Sequence, residues 1–248
     1  MEHIYLKVWG NYACFTRPEM KVERVTYDVM TPSAARGILE AIYWKPAMRY
    51  IIDEISVLKP MKFLTIRRNE VNNKMAVSFA SIKKAIDSGE AIGLDTTDSR
   101  TQRLSMVLKD VCYIIKAHVE LTGKCDEEEK QQAEDTYCQV IKHSEMFNRR
   151  ASKGQCFKQP AFGCREFAAN FVSLREQDLI LEENQPLSMS KDLSFMLYDL
   201  EYSKKSARPV FFRAEMIDGK IKIPDDVKMI NKAKAPAKVK KRSKRVAE

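Results

Sequence analysis

Between Val111 and Leu121 the chain reads VCYIIKAHVEL, and a period of two divides it sharply. Val111, Tyr113, Ile115, Ala117, Val119 and Leu121 form one wholly apolar face, while Cys112, Ile114, Lys116, His118 and Glu120 form the other. The same alternation opens the chain, where Ile4, Leu6 and Val8 face away from Tyr5, Lys7 and Trp9 and Gly10 closes a first strand. A loop of roughly twenty residues follows, longer than connections inside a compact domain usually are, as a binding loop would be. Thr31 is placed to cap a helix with Pro32 at its first position, and Pro46 marks its stop. At a helical period Ala35, Ile38, Leu39 and Ile42 share one side and Arg36, Glu40 and Tyr43 another, which puts Tyr43 off the core stripe.

RYIIDEISVLKP and MKFLTIRRNEV predict the next two strands, joined around Lys59 and Pro60. Residues 72–100 are polar, with a short helical pattern in SFASIKKAI, and predict an excursion from the sheet. RLSMVLKDVCYIIKAHVELTG predicts a hairpin turning near Lys109 and Asp110. DEEEKQQAEDTYCQVIKHSEMFNRRASKG predicts a second helix, acidic in its first turn, basic in its last and stopped near Gly154, as the helix dipole favours. A strand returns after Gly163, and two further strands with Asp218-Gly219 as a hairpin turn close the pattern.

The order strand, helix, strand, strand, helix, strand predicts an α+β fold with a ferredoxin-like (RRM-like) N-terminal domain. It would occupy residues 1–125 and 126–175, with the excursion inserted at about 72–100. A small antiparallel β-sheet C-terminal domain over 176–226 and a basic disordered tail over 227–248 would follow.

Composition changes this picture in three ways. No apolar run is long enough to span a bilayer and no charged, apolar, small-residue succession opens the chain, so the expected address is cytoplasmic, without membrane contact. The six cysteines, at 14, 112, 125, 138, 156 and 164, form no C-x-x-C pair, and the histidines at 3, 118 and 143 lack zinc-ligand spacing. Reduced thiols and no metal or other cofactor are expected. The net charge of +9 is concentrated at one end: nine basic residues and one acid lie from Lys228 onward, leaving 34 basic and 33 acidic residues in the first 227. The globular part is nearly neutral, so a polyanion site within it has to come from local clustering. The tail reads equally as a solvated appendage or as a sequence-blind contact to phosphates.

Lys116 and His118 lie roughly 6.5–7 Å apart along a strand, a separation that lets both reach one phosphate. Histidine can give or take a proton near neutrality, and a lysine can stabilise charge on the non-bridging oxygens. Tyr43 would supply a third group, and these residue types suffice for metal-free RNA cleavage by the substrate's own 2'-hydroxyl. A histidine beside a lysine on a solvated strand face has the same spacing, so spacing does not decide between the two. His143 reads as a surface residue of the second helix, and His3 has no visible partner. FNRRASKGQCFKQPAFGCREF gathers Arg149, Arg150, Lys153, Lys158 and Arg165 around two glycines with Phe147, Phe157, Phe162 and Phe167 interleaved. That composition suits single-stranded RNA or the flank of a hairpin, and equally a basic helix end above core phenylalanines. IRRNE adds Arg67 and Arg68.

YDVMTPSAARGILEAIYWKP, IRRNEV, RTQRLSMVLKDVCYIIKAH and RRASKGQCFKQPAFGCREFAANF, in that order, resemble the type I-C CRISPR-associated endoribonuclease family, catalytic members of the Cas-five group of RAMP proteins. The resemblance runs from about Tyr5 to Phe212. It implies a RAMP ferredoxin-like domain with a smaller C-terminal sheet. It also implies metal-independent cleavage of CRISPR repeat hairpins in precursor crRNA, leaving a 2',3'-cyclic phosphate and a 5'-hydroxyl. Tyr43 in AIYWKP, with Lys116 and His118 in YIIKAH, match its catalytic set. Its members keep the crRNA 5' handle as a subunit of the Cascade complex. A related, non-catalytic role, capping that handle without cutting, is the alternative; contact with target double-stranded DNA through the tail is compatible with both.

Overall fold

The protein is described by a computed structural model covering residues 3–73, 75, 77–89, 91–93, 95–122, 136–202 and 207–229. Strand β1 (Ile4–Ala13) runs through Gly10 instead of ending there. A Cβ on Gly10 would lie 2.9 Å from both the Ala168 carbonyl and the Phe162 ring, so the glycine marks a close approach within the strand, not its end. A two-residue strand, β2 (Arg24–Val25), breaks the long loop that follows. Helix α1 (Pro32–Ile42) begins as its sequence predicts: Thr31 Oγ1 accepts from the Ala34 N–H at 3.3 Å, and Pro32 takes the first turn, where its missing N–H costs nothing.

Strands β3 (Met48–Val57) and β4 (Lys62–Val71) follow, then the excursion bearing helix α2 (Phe79–Ser88), and then β5 (Arg100–Leu121). The predicted hairpin at Lys109 and Asp110 is not formed. β5 is one strand of 22 residues whose distal half pairs with β4 and whose proximal half lies between β1 and β3. A two-residue hairpin needs special backbone geometry at its centre, and here only Asp110 takes a positive φ (56°). That residue kinks the strand and binds Lys59 Nζ at 2.7 Å.

Helix α3 (Thr136–Ser152) is the second predicted helix; its expected acidic first turn lies outside the described residues. Gly154, in the left-handed region at φ 64°, follows its end. Strand β6 (Asn170–Leu174) comes after a turn-rich stretch, so the strand expected directly after Gly163 starts seven residues later. Strands β7 (Lys191–Tyr202), β8 (Ala207–Ile217) and β9 (Lys220–Lys222) form an antiparallel set, with Asp218 (φ 48°) and Gly219 (φ 71°) making the predicted turn. Helix α4 (Asp225–Met229) then holds Val227 buried and Lys228 half-buried, so these residues belong to the folded body and not to the tail. The rest of the expected tail, 230–248, lies outside the described residues.

The strands join into one mixed α/β architecture dominated by an antiparallel sheet, in the order β6-β1-β5-β3-β9-β8-β7, with β4 and β2 also on β5. β9 pairs with β3, so the C-terminal strands continue the sheet. Residues opposite one another in an antiparallel pair share a face. Ile4, Leu6, Val8, Tyr50, Ile52, Ile55, Tyr113, Ile115, Ala117 and Val119 therefore face one way and form the core with Ile38, Leu39 and Ile42 of α1 and Phe147 of α3. Tyr5, Lys7, Ile51, Glu54, Lys116 and His118 face the other way.

Candidate active site

Lys116 and His118 stand two residues apart on the face of β5 turned away from α1 and α3. His118 Nδ1 lies 2.7 Å from Asp53 Oδ2, and Lys228 Nζ lies 3.0 Å from Asp53 Oδ1. His3 Nδ1 approaches the same Oδ2 at 3.4 Å without a hydrogen-bond partner among the described residues. The His3 and His118 rings meet edge to face at 6.2 Å. Lys116 Nζ lies 5.7 Å from the Tyr5 ring centroid, and no carboxylate among the described residues pairs with it. An unpaired ammonium beside a carboxylate-held imidazole is an arrangement that an incoming phosphate would complete.

Why Asp53 reaches His118 is visible in the register. Ile51 stands opposite His118 and Glu54 opposite Lys116, with a shift between Ile52 and Glu54 that leaves Asp53 as an extra residue. Such a bulge puts two consecutive side chains on one face. Burial alone would raise the Asp53 carboxyl, but hydrogen bonds from His118 and Lys228 outweigh it and hold the group below the usual carboxylate range. Burial, and after it the charge of Lys116, pushes His3 below the usual histidine value. Burial would likewise lower Lys228, yet its bonds to Asp53 and Asp225 carry it above the usual lysine value.

Tyr43 does not join this group. It caps the C-terminus of α1, is 5% exposed and packs in the core, contrary to its expected place off the core stripe. The last turn of α1 uncoils at this residue (φ −151°, ψ 130°), which swings its side chain away from the angle a continuing helix would give. The phenol lies 2.9 Å from His143 Nδ1, the Arg150 guanidinium sits 5.2 Å from the ring centroid, and Tyr50 donates to the Tyr43 carbonyl at 2.7 Å. Tyr50 faces the core beside Val119, so the sheet stands between Tyr43 and His118. His143, expected on the surface, is 4% exposed.

The basic residues separate by burial and partners. Arg149, Lys153, Lys158 and Arg165 are exposed, and Arg150 is engaged by Tyr43. Lys158 is held by its own backbone, whose N–H bonds the Ala41 carbonyl at 3.1 Å. Of the interleaved aromatics, Phe147 and Phe162 are core residues and Phe157, 85% exposed, is open for stacking. Arg67 and Arg68 are neighbours on β4 and point to opposite faces; Arg67 is exposed, while Arg68 binds Glu166 at 2.9 Å and Glu70 at 3.3 Å.

Asp53, Lys228, His3 and His143 are the residues that sequence reasoning passed over. Asp53 had one signal, since two adjacent acids in RYIIDEISV break the alternation of an otherwise regular strand. His3, Asp53 and His118 present ligand atoms within 4.8 Å of one another, a spacing a metal ion could use. The charge is against it: Lys228 already occupies Asp53 Oδ1, and Lys116 adds a second ammonium that a dication would have to face. No described helix is long and apolar enough to cross a membrane.

Fold and site together define a mixed α/β protein built on an antiparallel sheet, with an acid–base pair and an uncommitted cation on one face. Residues 3–224 match the family model Cas5d, described as a CRISPR-associated protein of the Cas5 group. The chain belongs to this Cas5d family. It is 48% identical, over 89% of its own length and 94% of the relative's, to a CRISPR pre-crRNA endoribonuclease Cas5d of Mannheimia succiniciproducens. It is 36% identical, over 90% and 92%, to a protein of the same description from Thermus thermophilus. Among solved structures, a CRISPR-associated protein and a functionally uncharacterised protein from Streptococcus mutans each superpose with a TM-score of 0.62 at 21% and 20% identity, covering 90% of this chain and 92% of theirs. These share its fold.

Proposed function

We propose that this chain is a pre-crRNA endoribonuclease that cuts CRISPR repeat hairpins without a metal by 2'-hydroxyl attack, leaving a 2',3'-cyclic phosphate and a 5'-hydroxyl. In this reading it stays on the crRNA 5' handle within a type I-C Cascade complex. Two relatives of this description, matched over nearly their whole lengths, support the activity. Connectivity supports a ferredoxin-like core: β1, α1, β3, β5, α3 and β6 follow the strand-helix-strand-strand-helix-strand order, with strand neighbours β6-β1-β5-β3.

The observation that carries the mechanism is the pairing of Lys116, free of any carboxylate among the described residues, with His118, anchored at 2.7 Å on Asp53. Lys116 would hold the non-bridging oxygens as charge builds, and His118 would exchange a proton with the 2'-hydroxyl or the leaving 5'-oxygen. Arg67, Arg149, Lys153, Lys158 and Arg165 would hold backbone phosphates, with Arg68 and Arg150 shaping that surface through their protein partners. The test is cleavage of repeat RNA in excess EDTA. His118→Ala should slow it by about 10²–10⁴-fold, the usual worth of a general acid or base, with RNA affinity retained. A single 2'-deoxy substitution at the cut site should abolish it; cutting of that substrate would refute the mechanism.

A second reading has its own observation. Tyr43 and His143, 2.9 Å apart with Arg150 against the phenol, form another acid–base pair on the helix face, nearer the basic cluster. Cleavage lost in His143→Ala and kept in His118→Ala would favour it. A wild-type chain that binds the handle and does not cut would be a non-catalytic subunit.

A further inference from the structure

Asp53 has no place in the residue set that the family resemblance implies, yet it makes the shortest polar contact that His118 has. We propose that Asp53 is a positioning residue for cleavage, fixing His118 as the tautomer protonated on Nδ1 and leaving Nε2 as the nitrogen that meets RNA. This rests on the assignment of His118 to the cleavage site.

The tautomer follows from what each atom can do. An ionised carboxylate only accepts, so the 2.7 Å contact requires the proton on Nδ1. Nε2 then carries a lone pair in the neutral ring. Its nearest carboxylate oxygen, Glu120 Oε1, is 3.9 Å away, beyond hydrogen-bond reach, and the other Glu120 oxygen is clamped by Arg49 through Nε at 3.1 Å and Nη2 at 2.6 Å. Nε2 is therefore the nitrogen without a hydrogen-bond partner in the described structure.

Asp53 is itself held from three sides. The bulge in β3 aims it at His118, its carbonyl accepts from the Ile223 N–H at 3.0 Å, and its second oxygen takes Lys228 Nζ, which also binds Asp225 at 3.0 Å. The charged and titratable groups facing His118 are Asp53 from β3, His3 ahead of β1, Lys116 and Glu120 from its own strand, Lys228 from α4, and Arg49 through Glu120. Asp53 is the one that touches the ring in hydrogen-bonding geometry. In the Ser-His-Asp triad the corresponding carboxylate sets the imidazole tautomer, and its loss costs on the order of 10⁴-fold.

Asp53→Asn in the full chain tests this. The shape is retained, but the amide offers an N–H to Nδ1 and so drives the ring proton to Nε2. The expected result is a fall in single-turnover cleavage of about 10²–10⁴-fold, unchanged affinity for repeat RNA, and inversion of the His118 tautomer read from its ¹⁵N shifts. An inverted tautomer with undiminished cleavage, or an unchanged tautomer, would overturn the inference. Should the variant fail to fold, the wild-type ¹⁵N shifts decide: a His118 ring protonated on Nε2 alone sinks the proposal. If His118→Ala cuts normally, the assignment of His118 to the cleavage site has failed, while the ¹⁵N shifts still report whether Asp53 sets the tautomer.

Discussion

At Asp53 a negative charge is taken partly out of water and is stable there because two donors meet it. Its depressed folded-state value makes it a source of acid sensitivity with a definite sign. The contribution is complete above the unfolded carboxylate value, about 3.9, and is lost as pH falls through the lower folded value. His3 adds a loss of the same sign at milder acidity. Its folded value lies below 6.5, so protonation favours the unfolded chain as pH drops from about there. Thermal midpoints measured from pH 7 down to pH 2.5 should fall in two stages. Asp53→Asn should flatten the lower stage and leave the upper one, and an identical acid limb in wild type and variant would show that the carboxylate contributes nothing.

At the scale of elements, the turn before β6 is fixed by Gly163. It sits at φ 81° with the Cys14 carbonyl where a Cβ would go, and Cys14 N–H bonds Phe162 O at 3.0 Å. Gly163→Ala should therefore destabilise the fold by about 2 kcal/mol or more, through strain and displacement of β1 from the turn, read as a lower denaturant midpoint. The glycine was legible in the sequence as a punctuation point; the strand expected to start there was not, because residues 164–169 fold back on the end of β1 before pairing begins. The period-two pattern found β1, β3 and the 111–121 half of β5, since each has one face on the core, and also β4, in which the half-buried Ile66, Arg68 and Glu70 alternate with exposed residues. It mistook the middle of β5 for a turn. A single left-handed Asp110 tied to Lys59 bends a strand without ending it, and that tie joins residues 51 positions apart, which no local pattern contains. Tyr43 was misplaced for a related reason: a helical wheel assigns an angle to a residue that the helix has already released.

For the whole molecule, the sheet is continuous from β6 to β7, and its two faces have different chemistry. The Lys116–His118 spacing was legible in sequence, whereas its completion by Asp53, His3 and Lys228 was not, because those residues come from β3, from the segment ahead of β1 and from α4. Charge is also divided at this scale. Residues 230–248 hold eight of the 43 lysines and arginines. Removing them while keeping Lys228 should leave hairpin cleavage intact and make duplex DNA binding less salt-dependent, by about 0.9 in the slope of log K against log salt for each phosphate that the tail neutralises. An unchanged slope would exclude the tail from DNA binding.

β9 and Lys228, the latter 175 residues further along the chain, close over a carboxylate that was synthesised among the first sixty. During translation, a nascent chain that has exposed its histidine and lysine still lacks the brace on the aspartate beside them. On the proposed assignment the cutting edge is sharpened last, so truncated products and chains still on the ribosome would be poorly equipped to attack the RNA around them.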